Sequence, residues 1–560
     1  MEDFSKKEKS KKLEEGMKSS RQNSSLYLII VSIIFIFSNI AALTPLTGIP
    51  VFFYNHKYLC KNGNSNNFNS ICSQKFICSN NKKLNIDYII DKKYDANLHS
   101  FITTFNIYCS RTKIVFLASS FFIGQLIGTI IYPYFISFLG IINTLSLNYF
   151  LIFLSYLIMA KYNYYYIALF FYNISSLSFQ ICMLSFKQYI VEMSEPSKRS
   201  IYLLFNLLSQ IFSGFFVVFV SYITLDYNYL LIFSSFICII GAILLKIFVV
   251  ESIRILFVKG KIQELMENLE YISKINKSKQ YFDEWKKNNL NIFYNNLNNL
   301  NINDENTNPL IDKDNLNNNE ILINKDNVDD DIYLNENEIN YVSIWKYPSQ
   351  VKLIILFSFA TFYVNYSLVL AQFEISKQNK FFLSLLEGYT CDMVGYFFGI
   401  LITELKNYSR NVCFLFLTFL LSLIFLIHSI FYYKHNQFLF IFFRIFINSL
   451  DANFNLYNFE SFPTLSRSIG VAINRIFGKF FNIWTPLLMI NFPKFGYLCG
   501  LFFGVILFLL SIFLSPKEEK NHMINEFPIE IINEIKKEKI KGNYHENENN
   551  GEEQYLLSNQ

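Results

Sequence analysis

Histidine and charge are both scarce in this 560-residue chain. The six histidines stand at 56, 99, 428, 435, 522 and 545, and none is paired with another at metal-ligand spacing on a helix. No nucleophile elbow, P-loop or paired catalytic carboxylate motif occurs either. A membrane-embedded enzyme is therefore a poor reading, and no metal or cofactor is implied. Charged residues make up 17% of the chain, with a net charge of +5 gathered mostly in tails and loops. That leaves no basic stripe of the kind nucleic acid requires. The lysines at 6–12 read instead as a cytoplasmic flank ahead of a first membrane span. No short apolar core with a small-residue cleavage site follows them, which speaks against a cleaved signal peptide. Three long stretches, 26–50, 114–160 and 228–245, contain no charged side chain at all.

What fills the chain is apolar. Hydrophobic residues are 52% and aromatic residues 18%, with 62 Phe and 37 Tyr. They come in runs rather than in amphipathic stripes, and a run of ~20 apolar residues crosses a bilayer as a helix that satisfies its own backbone. Spans are expected near 26–50, 114–136, 141–160, 164–190, 201–224 and 228–250, then near 351–372, 381–404, 411–432, 437–459, 468–491 and 495–514. The expected fold is thus an all-α membrane protein of twelve transmembrane helices in two six-helix halves. Residues 1–25 form an N-terminal tail, 26–250 the first half, 251–350 a central segment, 351–514 the second half and 515–560 a C-terminal tail. An even span count puts both termini on one side, and the lysine-rich tails make that side cytoplasmic. The bilayer is either the plasma membrane or that of an internal organelle, and a monomer is expected.

The first outer loop, 51–113, holds Cys60, Cys72, Cys78 and Cys109. Four cysteines in one exposed loop suggest two disulfides, with three connectivities open. Zinc is the rival, but no C-x-x-C pair or His pairing accompanies them. The other cysteines, such as Cys182 and Cys499, fall in apolar runs and read as packing residues. In the central segment, 259–276 reads as an amphipathic helix with Ile262, Leu265, Met266, Leu269 and Ile272 on one face. From about 288 to 340 the composition collapses to Asn, Asp, Leu, Ile and Lys, a low-complexity stretch expected to be disordered. The tail carries one candidate short helix near 529–539.

An internal repeat links the halves. Glu192 and Arg199 in EMSEPSKR recur as Glu460 and Arg467 in ESFPTLSRSIG, each 268 residues later. Two related halves are a common build for secondary transporters. Other motifs sharpen this. The segment VESIRILFVKGKIQELMENLEYISKIN at 250–276 resembles the P-E-S-P-R-W-L and K-G-R-x-x-E-A pattern that follows span six in the organic cation/anion transporter family of the major facilitator superfamily. Glu251, Ser252, Arg254, Lys259 and Gly260 match it, while both prolines and the Trp are missing. The segment 460–470 is similar to that family's E-L-x-P-T-x-x-R-x-x-G, with Pro486 where its span eleven has a proline. Asp392-Met-Val-Gly-Tyr396 resembles its E-I-P-A-Y in span eight, and the long Cys-bearing loop fits too. The resemblance covers both halves and implies a major facilitator fold and alternating access. There is one departure. The superfamily's G-x-x-x-D-R-x-G-R-R loop between spans two and three reads here as Pro133 to Ile142, keeping Gly140 and no charge. The matching loop of the second half keeps Glu404, Lys406 and Arg410. Gating is therefore expected from Glu192, Arg199, Glu251, Arg254, Glu404, Arg410, Glu460 and Arg467.

Ionisable residues inside spans are costly and mark pathways or structural pairs. They are Lys187, Asp392, Arg444, Asp451, Arg475 and Lys479. Arg475 and Lys479 are four apart and share a helix face. Counted without gaps from Arg467 to Pro486, Lys479 falls where the resembled family's cation carriers have an acidic residue and its anion carriers an Arg. Lys187 falls near a cavity-lining Tyr of that family's span four. The expected cargo is a small organic solute, in the first place an organic anion. Lys187, Arg475 and Lys479 would supply the positive potential, Asp392 and Asp451 would join the site, and Tyr366, Tyr396 and Phe480 would form apolar walls. Pairing of the cations with Asp392 and Asp451 as structural ion pairs stays open. So do protons as coupling ion, since a buried carboxylate can exchange partners with a cation as it protonates. Organic cations or sugars are alternative cargoes, although the 250–276 segment and the charged span eleven fit sugar carriers less well. A non-transporting receptor or scaffold with a transporter fold is the remaining alternative.

Overall fold

The computed structural model describes residues 12–22, 24–54, 98–194, 199–299, 348–375, 381–403, 410–430, 437–462, 464–491 and 493–514, together with 58–61, 68–72, 78 and 88–90 of the long loop. The chain divides into two units, residues 1–31 with 250–338 and residues 32–249 with 339–560.

Twelve helices correspond to the expected spans: α1 (Leu26–Ala42), α2 (Arg111–Leu139), α3 (Ile141–Lys161), α4 (Tyr165–Met193), α5 (Arg199–Thr224), α6 (Tyr227–Phe248), α7 (Pro348–Ile375), α8 (Phe381–Thr403), α9 (Arg410–Ile430), α10 (Gln437–Glu460), α11 (Thr464–Asn482) and α12 (Pro493–Leu514). Among the described residues, nine helices are long and apolar enough to cross a membrane: α2 to α9 and α12. The other three fall short for reasons the sequence explains. Helix α1 has 17 residues and gives way to two one-turn helices, Thr44–Thr47 and Ile49–Phe52, each with a proline in its first turn. Proline is tolerated there because it has no N–H to leave unpaired. Helix α10 carries Arg444 and Asp451 among four asparagines, and α11 carries Arg467, Arg475 and Lys479. Helix α11 breaks at Ile483 and Trp484, ahead of a further turn at Thr485–Asn491. The charge-free loop expected after span two shrinks to one residue, Gly140, at φ 81. Side chains other than glycine rarely adopt that conformation.

The same packing device is used in each half. Helix α2 packs on α4, and α8 on α10. Gly124 and Gly128 face α4, and Gly395 and Gly399 face α10. A Cβ at Gly128 would lie 2.5 Å from the Leu177 carbonyl oxygen, and one at Gly399 2.6 Å from that of Ser449. Two glycines one turn apart let helix backbones approach closely, which is how membrane helices gain dispersion contact where burial from water contributes little. Asn173 Nδ2 donates to Ser120 O at 3.0 Å in the first pair, and Ser449 Oγ to Gly395 O at 2.8 Å in the second. The halves meet where α5 packs on α8 and α11 on α2.

The long loop is not wholly irregular. It contains an antiparallel sheet of order β2-β1-β3, with β1 Tyr58–Lys61, β2 Phe68–Cys72 and β3 Tyr88–Ile90. This small sheet is an addition to a nearly all-helical chain. Cys78 and Cys109 form a disulfide with Cα atoms 5.4 Å apart, whereas the side chains of Cys60 and Cys72 lie outside those described. The loop's end is tied down by Ser100 Oγ, which donates to Tyr54 O at 2.9 Å, and by Phe101, stacked on Phe52 at 4.8 Å.

In the other unit, the expected amphipathic helix spans Ile262–Ile275 and buries Leu265, Met266, Leu269 and Ile272. Asn276 joins it to the start of the chain. Its Oδ1 accepts from Tyr27 N at 2.9 Å, and its Nδ2 donates to Ser20 O at 3.0 Å. Where disorder was expected from about residue 288, a helix instead runs from Lys279 to Asn299. The rest of the Asn-rich insert and the tail from residue 515, including 529–539, lie outside the described residues.

Overpacking should be costly at the glycine contacts. Gly128→Leu and Gly399→Leu are each expected to destabilise by ~1–3 kcal/mol, read as a lowered melting temperature in detergent. An exposed change such as Phe513→Leu should leave it unmoved.

Candidate functional site

Residues from both halves converge where α4, α5, α8, α10 and α11 approach. Lys187, on α4 and 6% exposed, donates Nζ to Asn455 Oδ1 on α10 at 2.7 Å. Arg475, on α11, donates Nη2 to the same oxygen, also at 2.7 Å. The amide nitrogen of Asn455 donates to the carboxylate and the backbone carbonyl of Asp451, both at 2.8 Å. Tyr396 of α8 donates its hydroxyl to Gln210 Oε1 of α5 at 3.0 Å, with Asp451 Oδ2 3.5 Å away. Lys479, one turn beyond Arg475, donates Nζ to Asn365 Oδ1 of α7 at 2.9 Å. Lys187, Arg475 and Lys479 are all buried. On the first-half side, Tyr132 donates to Gln188 Oε1, and Gln188 Nε2 donates to Glu192 at 2.7 Å.

The charge balance of this group is uneven. Three basic side chains interact electrostatically with Asp451 and with one another. Their hydrogen bonds go to neutral amides of Asn455 and Asn365. Asp392, the other carboxylate expected here, is taken up elsewhere. Arg444 Nε donates to Asp392 Oδ1 at 2.8 Å, its Nη2 pairs with Oδ2, and Asn448 Nδ2 donates to Oδ1 at 2.7 Å. A guanidinium only 1% exposed requires such a counter-charge, so for Asp392 the geometry favours the ion-pair alternative. The Arg444 guanidinium also lies 5.7 Å from the Tyr389 ring centroid. Tyr389 in turn crosses to the first half, donating to Thr47 O at 2.6 Å beside the missing side chain of Gly214.

Two expected wall residues stand apart. Tyr366 donates to Gly496 O at 2.6 Å and packs on Phe362 and Phe503, joining α7 to α12. Phe480 is half exposed, on the stripe of α11 that carries Phe477 and Phe481. Helical periodicity turns that stripe away from the buried Arg475 and Lys479. Of the expected gate residues, Glu192 is buried near the end of α4. Arg199, Glu460 and Arg467 belong to α5, α10 and α11, but their side chains lie outside those described, as does Glu404 entirely. Arg410 opens α9. In the other unit, Arg254 pairs with Glu14 at 2.8 Å, and Glu251 accepts from Ser252 N at 3.1 Å.

Asn455, Asn365 and Gln210 were not singled out by sequence reasoning. For Asn455 a signal existed. It follows Lys187 by 268 residues, the offset that relates the two Glu/Arg pairs.

Comparison with known proteins agrees with this arrangement at the level of fold. Residues 25–292 match the family described as sugar (and other) transporter. No curated protein matches the sequence. Among solved structures, the chain is similar to the major facilitator superfamily proton:xylose symporter XylE bound to 6-bromo-6-deoxy-D-glucose. That likeness has a TM-score of 0.59 at 13% identity, over 89% of this chain and 98% of that one. A partially occluded, inward-open form of the xylose transporter XylE from E. coli gives a TM-score of 0.54 at 14% identity, over 88% and 100% of the two chains. The chain therefore has the major facilitator fold of twelve helices in two halves and is an integral multi-pass membrane protein. The match over residues 25–292 is to a family of transporters.

Removing one member of the buried ion pair should be far more damaging than removing both. Asp392→Asn is expected to cost ~3–5 kcal/mol of stability by stranding Arg444. The double variant Asp392→Leu with Arg444→Leu should recover most of the lost melting temperature in detergent.

Proposed function

We propose that this protein of the major facilitator fold is a secondary transporter, a carrier of small organic anions that works by alternating access. One observation carries the reading: among the described residues, three buried basic side chains, Lys187, Arg475 and Lys479, interact with one carboxylate, Asp451. Buried cations left without counter-charge are expensive. A cargo carboxylate would relieve that cost. Arg475 can grip it with a fork of donors and the lysines as point charges. Asn365, Gln210 and Tyr396 add polar partners that fix orientation. With three basic side chains to one facing carboxylate among the described residues, a dicarboxylate suits the group best.

A sugar is the second reading, and specific observations favour it. The family match over 25–292 points that way. Several buried amides, Gln125, Gln180, Asn206 and Asn453, also have polar atoms without a partner among the described residues. Hydroxyl groups of a polyol would satisfy such atoms.

Protons are the proposed coupling ion, and Asp451 is the residue to test because it is the carboxylate that faces the basic cluster.

Uptake of radiolabelled succinate, lactate and xylose into vesicles carrying the purified protein separates these readings. Succinate or lactate should accumulate, and Lys479→Glu should abolish that uptake. Saturable xylose uptake that Lys479→Glu leaves intact would transfer the assignment to sugars. An inward proton gradient should stimulate wild-type uptake and leave Asp451→Asn unstimulated. A wild-type rate indifferent to the gradient would remove protons from the mechanism.

A further inference from the structure

We propose that Asn455 is a stand-in for the cargo carboxylate, which lets the empty carrier close and so permits net transport instead of obligatory exchange. This rests on the anion reading above. Asn455 Oδ1 sits 2.7 Å from Lys187 Nζ and 2.7 Å from an Arg475 nitrogen, in the seat a carboxylate oxygen would occupy between two cations. Lys187 belongs to the first half, and Asn455 and Arg475 to the second, so the amide oxygen bonds across the halves.

Symmetry explains why an amide stands there. Lys187 and Asn455 are 268 residues apart and occupy corresponding places on α4 and α10. Helices related by the repeat face each other at this point. A lysine on both would set two like charges against each other, whereas the second half offers an acceptor. Asp451 fixes its sense, because its carboxylate and its backbone carbonyl both accept from Asn455 Nδ2. With the nitrogen held in that way, the carbonyl oxygen must point at the two cations.

The consequence concerns the transport cycle. Without an acceptor between them, Lys187 and Arg475 repel as the halves close. A cargo carboxylate removes that repulsion through charge-assisted bonds. In the empty carrier, the Asn455 oxygen does the same less strongly. Both forms can then reach the closed arrangement, and the carrier can return unloaded. Exchange requires only the loaded form to reorient, but net flux requires the empty form to reorient once in every cycle.

Two flux modes in the same vesicles test this. Radiolabelled succinate uptake is measured into empty vesicles and, as counterflow, into vesicles preloaded with unlabelled succinate. For Asn455→Leu and Asn455→Ser, net uptake should fall about 10-fold or more, as expected for a lost bond to charged groups, while counterflow stays close to wild type. Asn455→Asp should abolish both modes, because its fixed carboxylate competes with the cargo. If the Leu variant does not elute as a monodisperse protein, the Ser variant carries the test. Net uptake and counterflow falling together, or neither falling, would overturn the proposal while leaving the anion reading intact. If wild type shows no counterflow of succinate or lactate, the anion reading fails and takes this inference with it.

Discussion

Burying basic side chains with too few carboxylates is the constraint on which the rest of this structure depends. Lys187, Arg475 and Lys479 are held below the surface by hydrogen bonds to asparagine oxygens. Neutral acceptors orient a cation but do not cancel its charge. Under the proposed reading, the site combines a fixed geometry with an electrostatic demand that an anionic cargo would meet. The contrast with Asp392 and Arg444 is instructive. That pair is complete, closed by Asn448, and needs nothing further from outside. Its work is to hold up Tyr389, whose hydroxyl reaches Thr47 in the other half.

Around this centre the two halves repeat a packing rule. Gly124 and Gly128 bring α2 against α4, and Gly395 and Gly399 bring α8 against α10. Close backbone contact makes each of these pairs stiff. Between the halves, α5 meets α8 through an apolar cluster of Leu207, Ile211, Tyr396 and Ile400, crossed by the hydrogen bond from Tyr396 to Gln210. Just past the end of α11, the Ile483 carbonyl accepts from Ser119 of α2.

Much of this was legible in the sequence, and the reason differs by residue. The spans were visible because charge-free runs of that length suit little besides a bilayer. Lys187, Arg475 and Lys479 stood out as charges inside such runs. Asn455 did not, because asparagine is common throughout this chain and one more in α10 looks like background; only the repeat offset marks it. Asp392 was visible as an ionisable group, but its partner lies 52 residues away on another helix, a pairing that no local spacing reveals. Tyr366 and Phe480 show the limit of composition. An aromatic residue in a span can face a site, a neighbouring helix or lipid, and only the rotation of its helix decides. The helix at Lys279–Asn299 shows the opposite error, in which Asn-rich composition concealed a continuation of helical structure.

Anion binding by the buried basic cluster is tested most directly by equilibrium binding of radiolabelled succinate to the purified protein, with unlabelled lactate and xylose as competitors. Saturable succinate binding is expected, displaced by lactate and not by a large excess of xylose. No retained succinate, together with saturable xylose binding, would contradict it.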